Sequence, residues 1–285
     1  MYSTLISVAQ LQTLRASGQP LMVFDCSFEL MQPTGGDKQY LERHLAGAVR
    51  ADLDRHLSAH GAPDAASASR HPLPSRESFA RWLGSVGFRP GMQAVVYDRQ
   101  GANYAGRLWW MLKWAGHEAV ALLDGGLQAW VAAGGAVETG PGTEPCPASF
   151  ALAEPAAALV DADSVAARLG HPGQTVLDAR AAARFRGEVE PLDPVAGHIP
   201  GALNRPFGDN LDDHGFFKSA DVLKAEFDAL LAGRDPASVV HHCGSGVSAL
   251  PNLIAMEVAG LGRTALYAGS WSDWCSEPGR PVAQS

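Results

Sequence analysis

The chain repeats itself, and that repeat restricts its fold more than any other feature. LMVFDCSFE, from Leu21, is an apolar run reaching Asp25, and TVLDAR, from Thr175, is another reaching Asp178. Each is followed by His-x-x-Gly-Ala: His44, Gly47 and Ala48 in the first half, His198, Gly201 and Ala202 in the second. MQAVVYD ends at Asp98 and SVVHHC ends at Cys243. Each leads through a glycine-bearing loop into an apolar-periodic helix, expected over 104–115 and 247–259. Gly116 and Gly260 follow, as glycines often do at helix C-termini. AVALLDGGLQAW and TALYAGSWSDW then close each half with a short strand, a turn and Trp130 or Trp274. The second copy lies about 150 positions after the first.

Strands alternating with helical patterns predict an α/β fold: two tandem domains, each a mainly parallel sheet flanked by helices. The length of 285 residues accommodates two such domains. The boundaries are expected at 1–138 and 159–285. The Pro-, Gly- and Ala-rich stretch 139–158 is read as a linker over the surface. The N-terminus reads as the first helix of the fold rather than a signal peptide, and no apolar run suits a membrane span. A net charge of −8 lacks the footprint of a nucleic-acid binder. Cys26, Cys146, Cys243 and Cys275 are far apart with no C-x-x-C. This disfavours a zinc ribbon or disulfide scaffold and suits a reducing, cytoplasmic setting.

Ligands of parallel sheets sit at the carboxyl ends of the strands, where both Asp98 and Cys243 fall. Only Cys243 is a sulfur nucleophile. In HHCGSGVSA, Gly244 and Gly246 let the backbone curl so that successive N–H groups converge ahead of a helix. Such a nest favours a charged sulfur, and a persulfide would extend that charge into the same donors. Burial as an inert side chain, the usual state of a free cysteine, is the reading for Cys26, Cys146 and Cys275.

CGSGVSA, together with GHIPGALN, YDRQG, LLDGGLQAW and YAGSW, resembles the 3-mercaptopyruvate sulfurtransferases, two-domain members of the rhodanese superfamily. Their loop usually reads CGSGVTA, so Ser248 stands for Thr and keeps a hydroxyl able to cap the helix. The resemblance covers nearly the whole chain. It implies two rhodanese-like domains, the first inactive, with Asp98 in the cysteine's place. The second is catalytic, around Cys243, with the site in the cleft between the halves. It further implies a relay of Ser245, His71 and Asp54, and Arg184 on the substrate carboxylate. Gly244, Gly246, Val247 and Ser248 would line the substrate. A second arginine is expected about nine positions after Arg184, where this chain has Asp193; Arg186 and Arg205 are candidate substitutes. No metal or cofactor is implied. The acceptor would be cyanide in an assay, or a small thiol or thioredoxin-like protein.

A cysteine phosphatase is disfavoured because residues 244–250 include no arginine to clamp phosphate. Thiosulfate sulfurtransferases usually carry basic residues just after the cysteine, and the neutral loop here favours mercaptopyruvate as donor. A non-catalytic persulfide carrier is the third alternative. A cysteine hydrolase would need a histidine on the thiol. His241 and His242 point to opposite faces of a strand, so at most one faces the site. His242 is expected to face away and His241 to share the Cys243 side, both as hydrogen-bonded strand-end histidines.

Overall fold

The computed structural model describes residues 1–32, 34–144 and 146–285. They form two compact units. The first comprises Met1–Asp64, Pro74–Ala156 and Asp213–Phe216; the second comprises Ala65–Leu73, Ala157–Asp212 and Phe217–Ser285. Each unit therefore takes a short segment from the other's stretch of sequence. The segment Ala65–Leu73, which carries His71, belongs with the Cys243 unit.

In the first unit the elements run β1 (Leu5–Ile6), α1 (Val8–Ala16), β2 (Leu21–Asp25), α2 (Gly35–Glu42), β3 (His44–Leu45), β4 (Val49–Arg50), α3 (Arg76–Ser85), β5 (Gln93–Tyr97), α4 (Ala105–Trp114), β6 (Val120–Leu123), α5 (Gly126–Ala132) and β7 (Val137–Glu138). The chain thus opens on a strand rather than the expected helix. β1 pairs with β6, and α1 follows with a capping box between Ser7 and Gln10. The main sheet has the order β1-β6-β5-β2-β4, and every pairing in it is parallel. β5 is buried along its whole length, which is why QAVVY reads as a continuous run rather than an alternation. α4 is buried on all sides, and its Lys113 ammonium lies 4.2 Å from the Trp109 ring centroid.

The second unit runs β8 (Ala158–Val160), α6 (Ala162–Ala167), β9 (Thr175–Asp178), α7 (Ala182–Arg186), β10 (Leu203–Asn204), α8 (Ala220–Leu231), β11 (Val239–His242), α9 (Leu250–Val258), β12 (Ala265–Tyr267) and α10 (Ser270–Trp274). Its sheet has the order β8-β12-β11-β9-β10, again all parallel. Both units share one topology, with β5 and β11 central. Asp98 and Cys243 follow those strands directly. One face of the second sheet packs Val176, Val240 and Tyr267 against Ile199, Trp271 and Trp274.

After β7, residues 146–156 run along the first unit as a strap. Ala148 N–H donates to Gly84 O and Ala153 N–H to Ala115 O. This ties down backbone donors that a free linker would leave to water. Among the described residues, no helix is long and apolar enough to cross a membrane.

Candidate active site

Cys243 leaves β11 with both main-chain groups held. Its N–H donates to Ser270 Oγ at 3.1 Å, and its carbonyl accepts from Trp271 N–H at 3.0 Å. Gly244 O accepts from Ser272 N–H at 2.9 Å. Ser270 is a positioning residue absent from the sequence reading, which took Gly269–Ser270 as a plain turn. It holds a left-handed conformation at φ 57° and relays to Tyr267 O. Its counterpart, Gly126, sits at the same φ of 57°, and a Cβ there would overlap Asp98 O. A serine that accepts this strain at a site repeated as glycine marks a place where its hydroxyl is needed.

The loop then curls. Gly246 has φ 76°, and a Cβ there would overlap the Ala268 carbonyl oxygen. The N–H groups of Ser245, Val247 and Ala249 have no acceptor among the described residues. α9 begins at Leu250, three residues later than expected, with a proline in its first turn. Its N-cap is Ala249, with no side-chain cap, so Ser248 does not supply the one anticipated.

The first unit shows what such a loop does when filled. Residues 98–105 and 243–250 have equal length and the same strand-to-helix setting. Asp98 Oδ1 accepts from Gln100 N–H at 2.9 Å and Ala102 N–H at 3.1 Å. Its Oδ2 accepts from Tyr104 N–H at 2.8 Å and Ala105 N–H at 2.9 Å. Burial pushes this carboxyl up, and the four amides act in the opposite direction. A carboxylate oxygen stands two bonds from Cβ, as does the outer sulfur of a cysteine persulfide. The fold thus builds an anion nest at this place, and the amides of Ser245, Val247 and Ala249 are its matching donors in the second unit. Cys243 is 2% exposed. Burial alone would equally describe an inert thiol; the open amides make the difference.

Ser245 and His71 come together: His71 Nδ1 lies 2.8 Å from Ser245 Oγ, with both side chains buried. Ser69 Oγ accepts from His71 N–H at 3.2 Å, and Ser272 Oγ accepts from Arg70 N–H at 3.2 Å. The segment Ala65–Leu73 is therefore stitched to the Cys243 loop by its own polar atoms. Asp54 lies in the first unit, where its Oδ1 is 3.2 Å from His60 Nε2.

Arg184 borders the loop. A Cβ on Gly244 would lie 3.6 Å from its Nη1. Glu190 holds it at Nε (3.2 Å) and Nη2 (2.6 Å), and Asp193 accepts from Nη2 at 3.3 Å. Arg186 pairs with Glu188, and Arg205 with Glu226 and Asn210, so neither is placed as a second loop arginine. Arg70 is. Its Nη2 would be 2.8 Å from a Gly244 Cβ, and its Nη1 bonds Asp193 Oδ1.

The two histidines before Cys243 divide as strand alternation requires, but the structure corrects one of them. His242 faces Asp178, 3.5 Å from Oδ2. His241, between Leu177 and Leu266 in register, is fully buried with neither ring nitrogen partnered. It is not the hydrogen-bonded histidine anticipated. Burial lowers its pKa from 6.5 to about 3, and His242 adds to the shift. Its folded value is depressed, so the unfolded chain takes up the extra proton. Stability is then lost as pH falls below 6.5, by ~1.4 kcal/mol per pH unit for this group. His241→Leu is expected to raise stability at neutral pH by about 1 kcal/mol, by removing two unsatisfied polar atoms. It should also flatten the acid limb of urea-unfolding stability by one proton. An unchanged acid limb would contradict this placement.

Comparison with known proteins supports the same picture. The rhodanese-like domain family matches residues 7–133 and again 161–277. A probable 3-mercaptopyruvate sulfurtransferase of Pseudomonas aeruginosa is 46% identical over 284 residues, covering 99% of each chain. A putative thiosulfate sulfurtransferase, SseB, of Mycobacterium tuberculosis is 41% identical over 283 residues, covering 98% of this chain and 96% of the relative. The crystal structure of SseA from Escherichia coli, a 3-mercaptopyruvate sulfurtransferase, superposes with a TM-score of 0.80 at 31% identity, over 95% of this chain and all of that one. With two matched copies on one topology, the chain belongs to the rhodanese-like domain family.

Proposed function

We propose that this protein moves sulfur from 3-mercaptopyruvate to a thiophilic acceptor, as the sulfane sulfur of a persulfide on Cys243. The observation that carries the reading is the pair of equivalent loops. One holds the carboxylate of Asp98 on four amides, and the other presents matching amides beside a cysteine.

The Cys243 thiolate attacks the sulfur of the donor. The donor's carbon–sulfur bond breaks, and its electron pair leaves on the pyruvate enolate. The thiol proton passes to the enolate carbon, giving pyruvate. Ser245 and His71 form the proton path, since their oxygen and nitrogen are already 2.8 Å apart. Asp54 is the proposed orienting group for His71, as in the family relay. The outer sulfur, now negative, rests on the loop amides at no reorganisation cost. A thiolate acceptor or cyanide then attacks it, the sulfur–sulfur bond breaks, and the Cys243 thiolate returns. No metal or organic cofactor enters any step. The cellular acceptor is a small thiol or a thioredoxin-like protein. The four free cysteines support a reducing, cytoplasmic setting.

Steady-state rates with both donors test the donor. A higher kcat/KM for mercaptopyruvate than for thiosulfate is expected, and the reverse order would transfer the assignment to thiosulfate. Ser245→Ala is expected to lower kcat for mercaptopyruvate by about 10²–10⁴-fold, the usual worth of positioned proton transfer, with little change in KM. His71→Ala should do the same, and the double variant should cost no more than either alone. Unchanged kcat in the single variants would remove the pair from the mechanism.

A further inference from the structure

We propose that Arg70 and Arg184 together seat the acidic group of the sulfur donor, and that Asp193 between them selects a singly charged donor over a doubly charged one. This rests on the sulfur-transfer reading of Cys243 and adds the determinant of donor charge.

Both guanidiniums border Gly244, the residue after the nucleophile. A Cβ there would stand 2.8 Å from Arg70 Nη2 and 3.7 Å from Arg184 Nη2. Arg70 is no wandering surface arginine. Its backbone is tied to Ser272, and its neighbour His71 bonds Ser245, so the strap that delivers the proton relay also delivers this cation. Arg184 arrives from α7 and is held by Glu190. Asp193 bonds both arginines, and its side chain is only 3% exposed.

The charges around this seat cancel. Arg70, Arg180 and Arg184 face Asp178, Glu190 and Asp193, all within one connected set of ion pairs. Arg184 Nη1 and Arg70 Nη2, the nitrogens that none of these acids engages, remain to donate to the two oxygens of a carboxylate. A doubly charged ligand needs net positive charge to offset its desolvation, and Asp193 removes that charge. The aspartate where an arginine was expected is thus part of the seat, with Arg70 supplying the second cation from elsewhere in the chain.

The test measures equilibrium binding of pyruvate, singly charged, and thiosulfate, doubly charged, to Cys243→Ser protein, which cannot turn over. Adding Asp193→Asn is expected to tighten thiosulfate about tenfold and pyruvate less than about threefold, since one buried negative charge is removed. Adding Asp193→Glu should keep the original preference. Adding Arg70→Gln should weaken both anions, with Arg70→Lys restoring part of the loss. In protein retaining Cys243, Asp193→Asn should raise the thiosulfate-to-mercaptopyruvate ratio of kcat/KM, chiefly through KM. Equal shifts for both anions, no effect of Arg70→Gln, or no binding of either anion would each overturn the proposal. Failure of the sulfur-transfer reading shows separately, as absence of a persulfide on Cys243 in protein that still discriminates the two anions.

Discussion

Cys243→Ser is expected to lower sulfur transfer from either donor by at least about a thousandfold while leaving the fold intact. The main-chain bonds of residue 243, to Ser270 and Trp271, do not involve the sulfur and survive the exchange. What is lost is a soft nucleophile able to hold a second sulfur atom. The control is Cys26→Ser. Cys26 also follows a strand of a parallel sheet, β2, but burial first, then the nearby Asp25 and Asp98 carboxylates, push its thiol well above its ordinary value. It stays protonated and unreactive at neutral pH, so its replacement should leave turnover unchanged. Cyanide-trapped sulfur release, measured on both variants beside a thermal melt, checks the pair. Residual transfer in Cys243→Ser would move the nucleophile elsewhere.

Gly246→Ala is expected to destabilise the protein by about 3 kcal/mol and to abolish most of the transfer activity. The left-handed backbone at φ 76° costs a residue with a Cβ ~1–2 kcal/mol. The remainder comes from the Ala268 backbone, which the new Cβ would strike and which belongs to the turn holding Ser270. Moving that turn displaces the hydroxyl on Cys243 N–H and re-aims the loop amides. Gly260→Ala separates the two causes. It shares the left-handed conformation at φ 71° but has nothing within 4 Å of the new Cβ. It should cost only the backbone part and leave activity untouched. Urea unfolding gives both values, and equal losses would dismiss the close approach as a cause.

The repeat made the fold legible. Two equal strand–loop–helix patterns at matching spacing encode two parallel sheets, and the structure shows one topology twice. The Cys243 loop was legible for the same reason, since two glycines after a buried run permit a backbone curl closed to other residues, and Gly246 takes φ 76°. The pairing of Ser245 with His71 came from family likeness, and the structure sets them 2.8 Å apart. Other parts could not be read because they depend on segments distant in sequence. Arg70 reaches the loop because Ala65–Leu73 folds with the second unit, which no local pattern announces. Asp193 reads as a misplaced charge until its two arginine partners are seen. Ser270 reads as a turn residue, since its left-handed conformation is favoured only by its bonds to Cys243 and Tyr267. The bare imidazole of His241 runs against the rule that buried polar groups find partners.

The most direct measurement is peptide mass spectrometry of the protein after brief exposure to 3-mercaptopyruvate without acceptor. One added sulfur atom is predicted on the peptide holding Cys243, removable by cyanide, and none on the peptides holding Cys26, Cys146 or Cys275. An unmodified Cys243 while pyruvate accumulates, or the sulfur on another cysteine, would contradict the account.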